Sequence, residues 1–569
     1  MSINIEFLPS KNGEETLKIN QYFVHSKYNP NKEAEQLVHN QYIPHHTHII
    51  FGYGCGYVVE ALLKRRSFEE TIIVIDPLFD NQTLKPKHKA PNLFMFDSTA
   101  ISVLELYINK IATNTRVAFK MICTSNYDKV FPNQYKELLK KMLDIQYKNR
   151  TNDYTLLRYA KDWQRNFIEN LQNLNADYTI EALHKKYNCP VVVASGGPSL
   201  TKQIPLIKKY RNYIILIAAG STINSLVSND LEPDYVVTID GGKPNYLHFK
   251  QLYLQNAEII YSMQNHYMVR KSFEKKGFVI GTNGYGKLTK YLETEIGVKY
   301  PVLEYGGSVA HSAFNVAHYI TTGPVALIGQ DLAYTDNLTH ASTNKNARGI
   351  DEAFIKEREA FQIEGYYGEL VWTNPVFQSM KLDFEALISV KKPDVPFYNC
   401  TEGGVKIKGF EQMSFENFLK QSVSKIEESK VIKVIKVNDI NLDLDINNNL
   451  KHMLKNLNEL KVFLNKGLII IEKIELSKQI DKKALKKLDD LERNINKLLD
   501  KIPIEPMTNS ITIDILSNYL PAENETTVET YKRVIRQTKA LYTQLQSAIN
   551  YTEQCIKNVF ENSEVENNE

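Results

Sequence analysis

Cysteine is scarce and scattered in this chain. Cys55, Cys123, Cys189, Cys400 and Cys555 are odd in number and form no CxxC pair or Cys/His cluster, which argues against a disulfide framework and a structural zinc site. No apolar run approaches the roughly 18 residues that span a bilayer. The opening stretch "MSINIEFLPSKNGEETLKIN" lacks the basic-then-apolar order of a secretory signal. Charge of neither sign dominates: 69 Lys and Arg stand against 66 Asp and Glu, a formal net charge of +3. The concentrated basic face that nucleic-acid binding needs is therefore missing. These absences lead to one expectation: a cytoplasmic, multi-domain protein with neither a membrane nor a nucleic-acid partner.

What is present is ordinary globular material, 43% hydrophobic and 24% charged over 569 residues, which is too long for one core. Three parts can be read. Residues 1–150 hold "THIIFGYGCGYVVEALLKRRSFEETIIVIDP", a strand, a glycine-rich turn, a helix and a second strand. This is the pattern of a Rossmann-like βαβ unit. Residues 151–412 open with a helix and continue in Val- and Ile-rich strands separated by helical lengths, as in a mostly parallel α/β sheet. From 413 to 569 glycine almost disappears. "KKALKKLDDLERNINKLL" places Leu485, Leu488, Leu491, Ile495, Leu498 and Leu499 on one stripe, which predicts a C-terminal helical bundle.

Two kinds of glycine turn carry chemistry. Gly52-x-Gly54-x-Gly56, with Asp76 ending the next strand, is either a cofactor cradle or a bare scaffold turn. The second kind recurs in the middle part. "VVVASGGPSL" ends a buried strand in Gly196, Gly197 and Ser199, where bare amides and a hydroxyl can cap a helix or meet a phosphate. "AAGSTI" adds Gly220 and Ser221, and "PDYVVTIDGG" adds Asp240. "EYGGSVAHSAFNVAHYI" adds Gly306, Gly307 and Ser308 ahead of a helix of small residues. "GQDLAYTDNLTH" adds Gln330, Asp331, Tyr334 and His340, and "CTEGGVKIKGF" adds Glu402, Gly403 and Gly404. In a parallel sheet such strand ends converge on one crevice, so the set points to a nucleotide-type site.

In order and spacing, "ASGGPSL…AAGSTI…PDYVVTID…GGSVAHSAFNVA…GQDLAY…H…EGG" resembles the motility accessory factor (Maf) family of flagellin glycosyltransferases. The N-terminal "FGYGCGYVVEALL…IIVIDP" and the helical C-terminus fit the layout of that family. The resemblance implies transfer of a nonulosonic acid of the pseudaminic or legionaminic type, from its CMP-activated form to Ser or Thr hydroxyls of flagellin. The CMP-sugar is then the donor, with no tightly bound cofactor. The middle part is also similar, more distantly, to bacterial sialyltransferases that use CMP-sialic acid. There the first glycine turn carries an asparagine between its glycines, where this chain has Gly196.

Such a transfer needs donors for the departing phosphate and a base for the acceptor hydroxyl. The expected donor-binding set is Gly196, Gly197, Ser199, Gly220, Ser221, Asp240, Gly307, Ser308, Gln330 and Tyr334. His340 is the candidate base because imidazole titrates near working pH, and Asp331 is its alternative or orients the site. No Asp-x-Asp pair stands at these strand ends, so a divalent metal is not expected. The lysine-rich third part is either a flagellin-docking surface or a packing bundle. Three rivals stand beside this reading. One is a methyltransferase that binds S-adenosylmethionine at the Gly52 turn. Another is a pterin diphosphokinase, although no lysine-bearing phosphate loop is present. The third is a flagellin-binding chaperone without catalysis.

Overall fold

The computed structural model describes residues 3–566 apart from 68–69, 81–83, 102–103, 105–107, 109–117, 283–285, 304–305, 345–346, 392–395, 424–443, 478–480 and 523–524. The turn after "GFVIGT", the Glu-Tyr pair before Gly306 and the last three residues of the acidic tail lie outside the described residues. Contacts divide the chain into two units. The first is Met1–Tyr154 with Leu520–Thr530, and the second is Thr155–Tyr519 with Tyr531–Glu569. The boundary near residue 154 falls inside one long helix, Pro132–Asn170.

In the first unit four short parallel strands form a sheet: β1 (Thr47–Phe51), β2 (Ile72–Ile75), β3 (Leu93–Phe96) and β4 (Phe119–Cys123). Their order is β3-β2-β1-β4. This is the Rossmann-like half expected from the βαβ pattern. A separate three-stranded antiparallel sheet precedes it.

The second unit is built on a wholly parallel sheet. Its main strands are β5 (Val191–Ala194), β6 (Ile215–Ala219), β7 (Tyr235–Thr238), β8 (Glu258–Ser262), β9 (Phe278–Thr282), β10 (Val302–Leu303), β11 (Val325–Ile328), β12 (Phe397–Asn399) and β13 (Glu411–Gln412). The order is β10-β9-β8-β7-β6-β5-β11-β12-β13, with Tyr178–Thr179 beside β9. Every pairing is parallel. β5, β6, β7 and β11 are buried on both faces, which is why they read as unbroken apolar runs rather than as alternation.

Side chains alternate across the sheet, as a period of two requires. Val192, Ala194, Leu216, Ala218 and Val236 join a core that continues into Leu450, Leu457, Leu460 and Leu464 of the C-terminal helices. Val191, Val193, Ile215, Ile217 and Val237 face the other way, against Ala313, Phe314 and Ala317. The helices read as a third part therefore share a core with the middle sheet. From β5 the chain runs outward on one side to β10, then returns as β11 on the other side of β5. The boundary between β5 and β11 is thus a topological switch point, where open α/β sheets place their ligands.

Candidate active site

The carboxyl ends of β5, β6, β7 and β11 open into one crevice of about 590 Å3. Gly196, Gly197, Gly220, Ser221, Asp240, Gly307, Ser308, Gln330, Asp331 and His340 all line it. The expected donor-binding and catalytic residues thus converge, with two exceptions, while Gly306, Glu402, Gly403 and Gly404 do not line the crevice. Ser199 and Tyr334 are not among the lining residues. The Ser199 hydroxyl donates to Asp331 Oδ1 at 2.7 Å and makes no cap hydrogen bond at its helix. Tyr334 is buried against Phe354 and Phe377, and its hydroxyl accepts from Asn374. Both side chains are buried and bonded within the protein.

Hydrogen bonding separates the lining residues further. The Gly197 amide donates to the Gly329 carbonyl at 2.9 Å, and Gly220 to Val237 at 2.9 Å. The Gly307 amide donates to Asp383 Oδ2 at 3.0 Å. These three amides serve the fold, which corrects the expectation that they cradle phosphate. Gly197 is needed because a Cβ there would lie 2.2 Å from Asp331 Oδ1. Among the described residues the amides of Gly196, Ser221, Ser308 and Val309 make no bond to protein, and all four residues line the crevice. Val309 begins α1 (Val309–Ile320), whose small residues let it lie directly on the sheet. Its first amides carry the partial positive charge of a helix N-terminus.

The two aspartates differ. Asp331 is 2% exposed and takes both the hydroxyl and the amide of Ser199. Burial pushes its carboxyl up to about 6, with the Ser199 bonds working against that rise. It lines the crevice while being held to Ser199 at the strand end. Asp240 opens to the crevice, and among the described residues its carboxyl accepts no hydrogen bond. Desolvation by the surrounding walls of the crevice pushes its pKa up. Its backbone is pinned by Asn245, whose Nδ2 donates to the Asp240 carbonyl at 2.7 Å. Gln330 is tied by its Oε1 to Ser195. His340 is half-buried, and burial followed by the charge of Arg348 lowers its pKa. Its imidazole is therefore neutral near pH 7 and able to take a proton.

Sequence reasoning missed an aromatic wall. Tyr159 and Trp163, four residues apart on the helix Pro132–Asn170, stack at 6.2 Å and line the crevice with His248 and Phe377. A Cβ on Gly241 would lie 2.3 Å from Trp163 Cδ1, so the glycines after Asp240 make room for this wall. The i,i+4 spacing was visible in "RYAKDWQRNF". Its partner across the sheet was not.

The Gly52 turn is filled from within. Asp76 is fully buried, and its carboxylate accepts from the amides of Tyr53 and Leu78 and from the Tyr127 hydroxyl, at 2.6, 2.8 and 2.8 Å. His25 Nε2 accepts from the Cys55 amide at 2.8 Å, and burial holds that imidazole at about 4, hence neutral. A Cβ on Gly54 would meet His25 Nε2 at 2.2 Å. The turn's glycines accommodate the protein's own side chains, and the Asp76 carboxylate is engaged by groups of the turn and Tyr127.

The fold of this chain is similar to that of a Maf glycosyltransferase. The solved structure is that of the Maf glycosyltransferase from Magnetospirillum magneticum AMB-1, with a TM-score of 0.55 and 14% identity, over 99% of this chain and 93% of that one. Residues 165–337 match the family model described as 6-hydroxymethylpterin diphosphokinase MptE-like. A Treponema pallidum (strain Nichols) protein described as uncharacterized is 22% identical over 215 residues, which is 35% of this chain and 71% of that protein. Among the described residues no three His, Cys, Asp or Glu side chains gather to hold a metal ion, and no helix is long and apolar enough to cross a membrane.

Proposed function

We propose that this protein is a glycosyltransferase that moves a nonulosonic acid from its CMP-activated donor to Ser or Thr hydroxyls of flagellin. The observation that carries the reading is the crevice at the β5–β11 switch point, with its unbonded amides, in a fold similar to that of a Maf glycosyltransferase. The amides of Gly196, Ser221 and Val309 receive the donor's phosphate as negative charge grows on it. The bond from the anomeric carbon to that phosphate breaks and CMP leaves. The acceptor oxygen bonds to the same carbon, and its proton passes to His340. The Asp240 carboxyl accepts from sugar hydroxyls and faces the positive charge that develops on the ring. The C-terminal helices provide the face for flagellin, a large acceptor. The test is incubation with flagellin and CMP-nonulosonic acids, read by intact mass. A mass gain of one sugar on flagellin is expected. An unchanged mass with every such donor contradicts the reading.

A second reading has one observation behind it. The MptE-like match over residues 165–337 favours diphosphate transfer from ATP to a pterin alcohol in the same crevice. Formation of AMP from ATP only when 6-hydroxymethylpterin is present would select it over glycosyl transfer.

A further inference from the structure

His311, the third residue of α1, has no exposure to solvent, although it stands three residues from Ser308 on the crevice wall. One face of its ring stacks on Phe384, at 3.8 Å between centroids and 27° between planes. Phe384 belongs to α2 (Pro375–Val390). Close by lies Gly306, where a Cβ would sit 2.4 Å from His311 Cγ. Glycine at 306 thus lets the loop pass over the imidazole, a reason unrelated to phosphate.

The ring nitrogens have distinct partners. Nε2 lies 2.9 Å from the Met380 carbonyl oxygen, and Nδ1 lies 2.8 Å from Ser308 Oγ. A carbonyl can only accept, so Nε2 carries the proton. In a neutral imidazole Nδ1 is then an acceptor, and it takes the single proton of the Ser308 hydroxyl. Ser308 occupies the N-cap of α1 yet makes no cap hydrogen bond, although serine is favoured there because its side chain usually does so. The hydroxyl is drawn to His311 instead, which uses its one proton and leaves only lone pairs to offer a ligand in the crevice that Ser308 lines.

We infer that His311 is a positioning residue that fixes Ser308 as a hydrogen-bond acceptor, so that the ligand group seated on Ser308 is a donor. A phosphate oxygen cannot be that group, since it would meet lone pairs with lone pairs. The group is a hydroxyl or acylamino N–H of the transferred sugar, and the phosphate stays with the neighbouring amides. The identification of the sugar rests on the glycosyl-transfer reading, whereas the hydrogen-bond sense of Ser308 does not. Among the described residues Asp383 on α2, next to Phe384 and holding the Gly307 amide, is a carboxylate able to favour a charged imidazole. A charged ring would reverse the sense, because Nδ1 would then donate to Ser308.

Two measurements decide this. Nitrogen-15 spectra of the full chain labelled at histidine, assigned with His311→Gln, report the tautomer directly at pH 7.5. An imine-type Nδ1 with a pyrrole-type Nε2 is expected. A protonated Nδ1, whether in the other tautomer or in an imidazolium, overturns the inference. The second measurement is calorimetric titration of wild type and Ser308→Ala with CMP and with a non-transferable fluorinated CMP-nonulosonic acid. Ser308→Ala is expected to lose about tenfold in affinity for the CMP-sugar, the scale of one hydrogen bond, and to bind CMP unchanged. Equal loss for both ligands, or loss for neither, overturns the assignment. Binding of neither ligand to wild type would sink the glycosyl-transfer reading together with the sugar assignment, while the nitrogen spectra would still decide the sense of Ser308.

Discussion

Ser195 Oγ donates to Gln330 Oε1 at 2.5 Å, joining the carboxyl end of β5 to that of β11 across the switch point. Both side chains are buried, so the bond is protected from water and fixes the spacing of the two strand ends. Gly196 and Asp331, the next residue in each case, stand on either side of this tie. The crevice floor is therefore a braced structure, and substitutions there separate into those that break the brace and those that meet the ligand.

Adjacent glycines make that separation measurable. A Cβ on Gly197 would lie 2.2 Å from Asp331 Oδ1 and 2.6 Å from the Gly329 carbonyl, whereas on Gly196 the nearest atom is 3.5 Å away. Gly197→Ala is expected to destabilise the fold by about 1–3 kcal/mol, the usual cost of overpacking. Gly196→Ala is expected to stay within about 0.5 kcal/mol. Urea unfolding of the two variants checks this, and similar midpoints would contradict it.

Asp331 gives the fold a pH dependence with a definite sign. Its folded pKa of about 6 lies above the ordinary aspartate value of 3.8. The folded state therefore holds this proton more tightly, and the associated stability falls as pH rises from about 4 to about 6. Subtracting the unfolding profile of Asp331→Asn from that of wild type isolates the effect from other carboxyls. A difference profile that is flat through this window would show that Asp331 ionises normally.

The first unit yields a negative expectation. Asp76 is already committed to Tyr53, Leu78 and Tyr127, so S-adenosylmethionine is expected to give no binding heat. Tyr127→Phe removes a donor from a buried carboxylate and should cost about 1–3 kcal/mol, read by thermal unfolding. Binding of S-adenosylmethionine that disappears in Asp76→Asn would contradict this account of the turn.

His340 sets the expected acid limb of the transfer rate. Its imidazole is shifted below the ordinary 6.5 by burial and then by Arg348, so the base stays neutral at and somewhat below that pH, and the rate falls only in more acidic buffer. His340→Gln should lower kcat by about 10²- to 10⁴-fold and abolish that limb. A variant retaining both rate and limb would move the base to Asp240.

Much of this was legible in the residues. Runs such as "VVVA" and "YVVT", separated by helical lengths, argued for strands of a covered parallel sheet, and their glycine-rich ends marked the crevice. The roles of individual glycines were not legible. Gly197, Gly306 and Gly54 look alike in sequence, but each makes room for a different side chain of this protein: Asp331, His311 and His25. Ser199 read as a ligand hydroxyl because its partner Asp331 lies 132 positions away. The aromatic wall was hidden for the same reason, since helical spacing shows which residues share a face and not what that face meets. The merging of the C-terminal helices with the sheet's core likewise depends on long-range packing that a change in composition cannot reveal.

The most direct measurement is calorimetric titration of the full chain with CMP, repeated with Gly196→Ala. If the crevice seats the donor's nucleotide, wild type binds CMP and the variant, equally stable, binds it about tenfold more weakly, a difference of about 1.4 kcal/mol. Failure of wild type to bind CMP, or equal affinity in the two proteins, would contradict the assignment of the crevice to the donor.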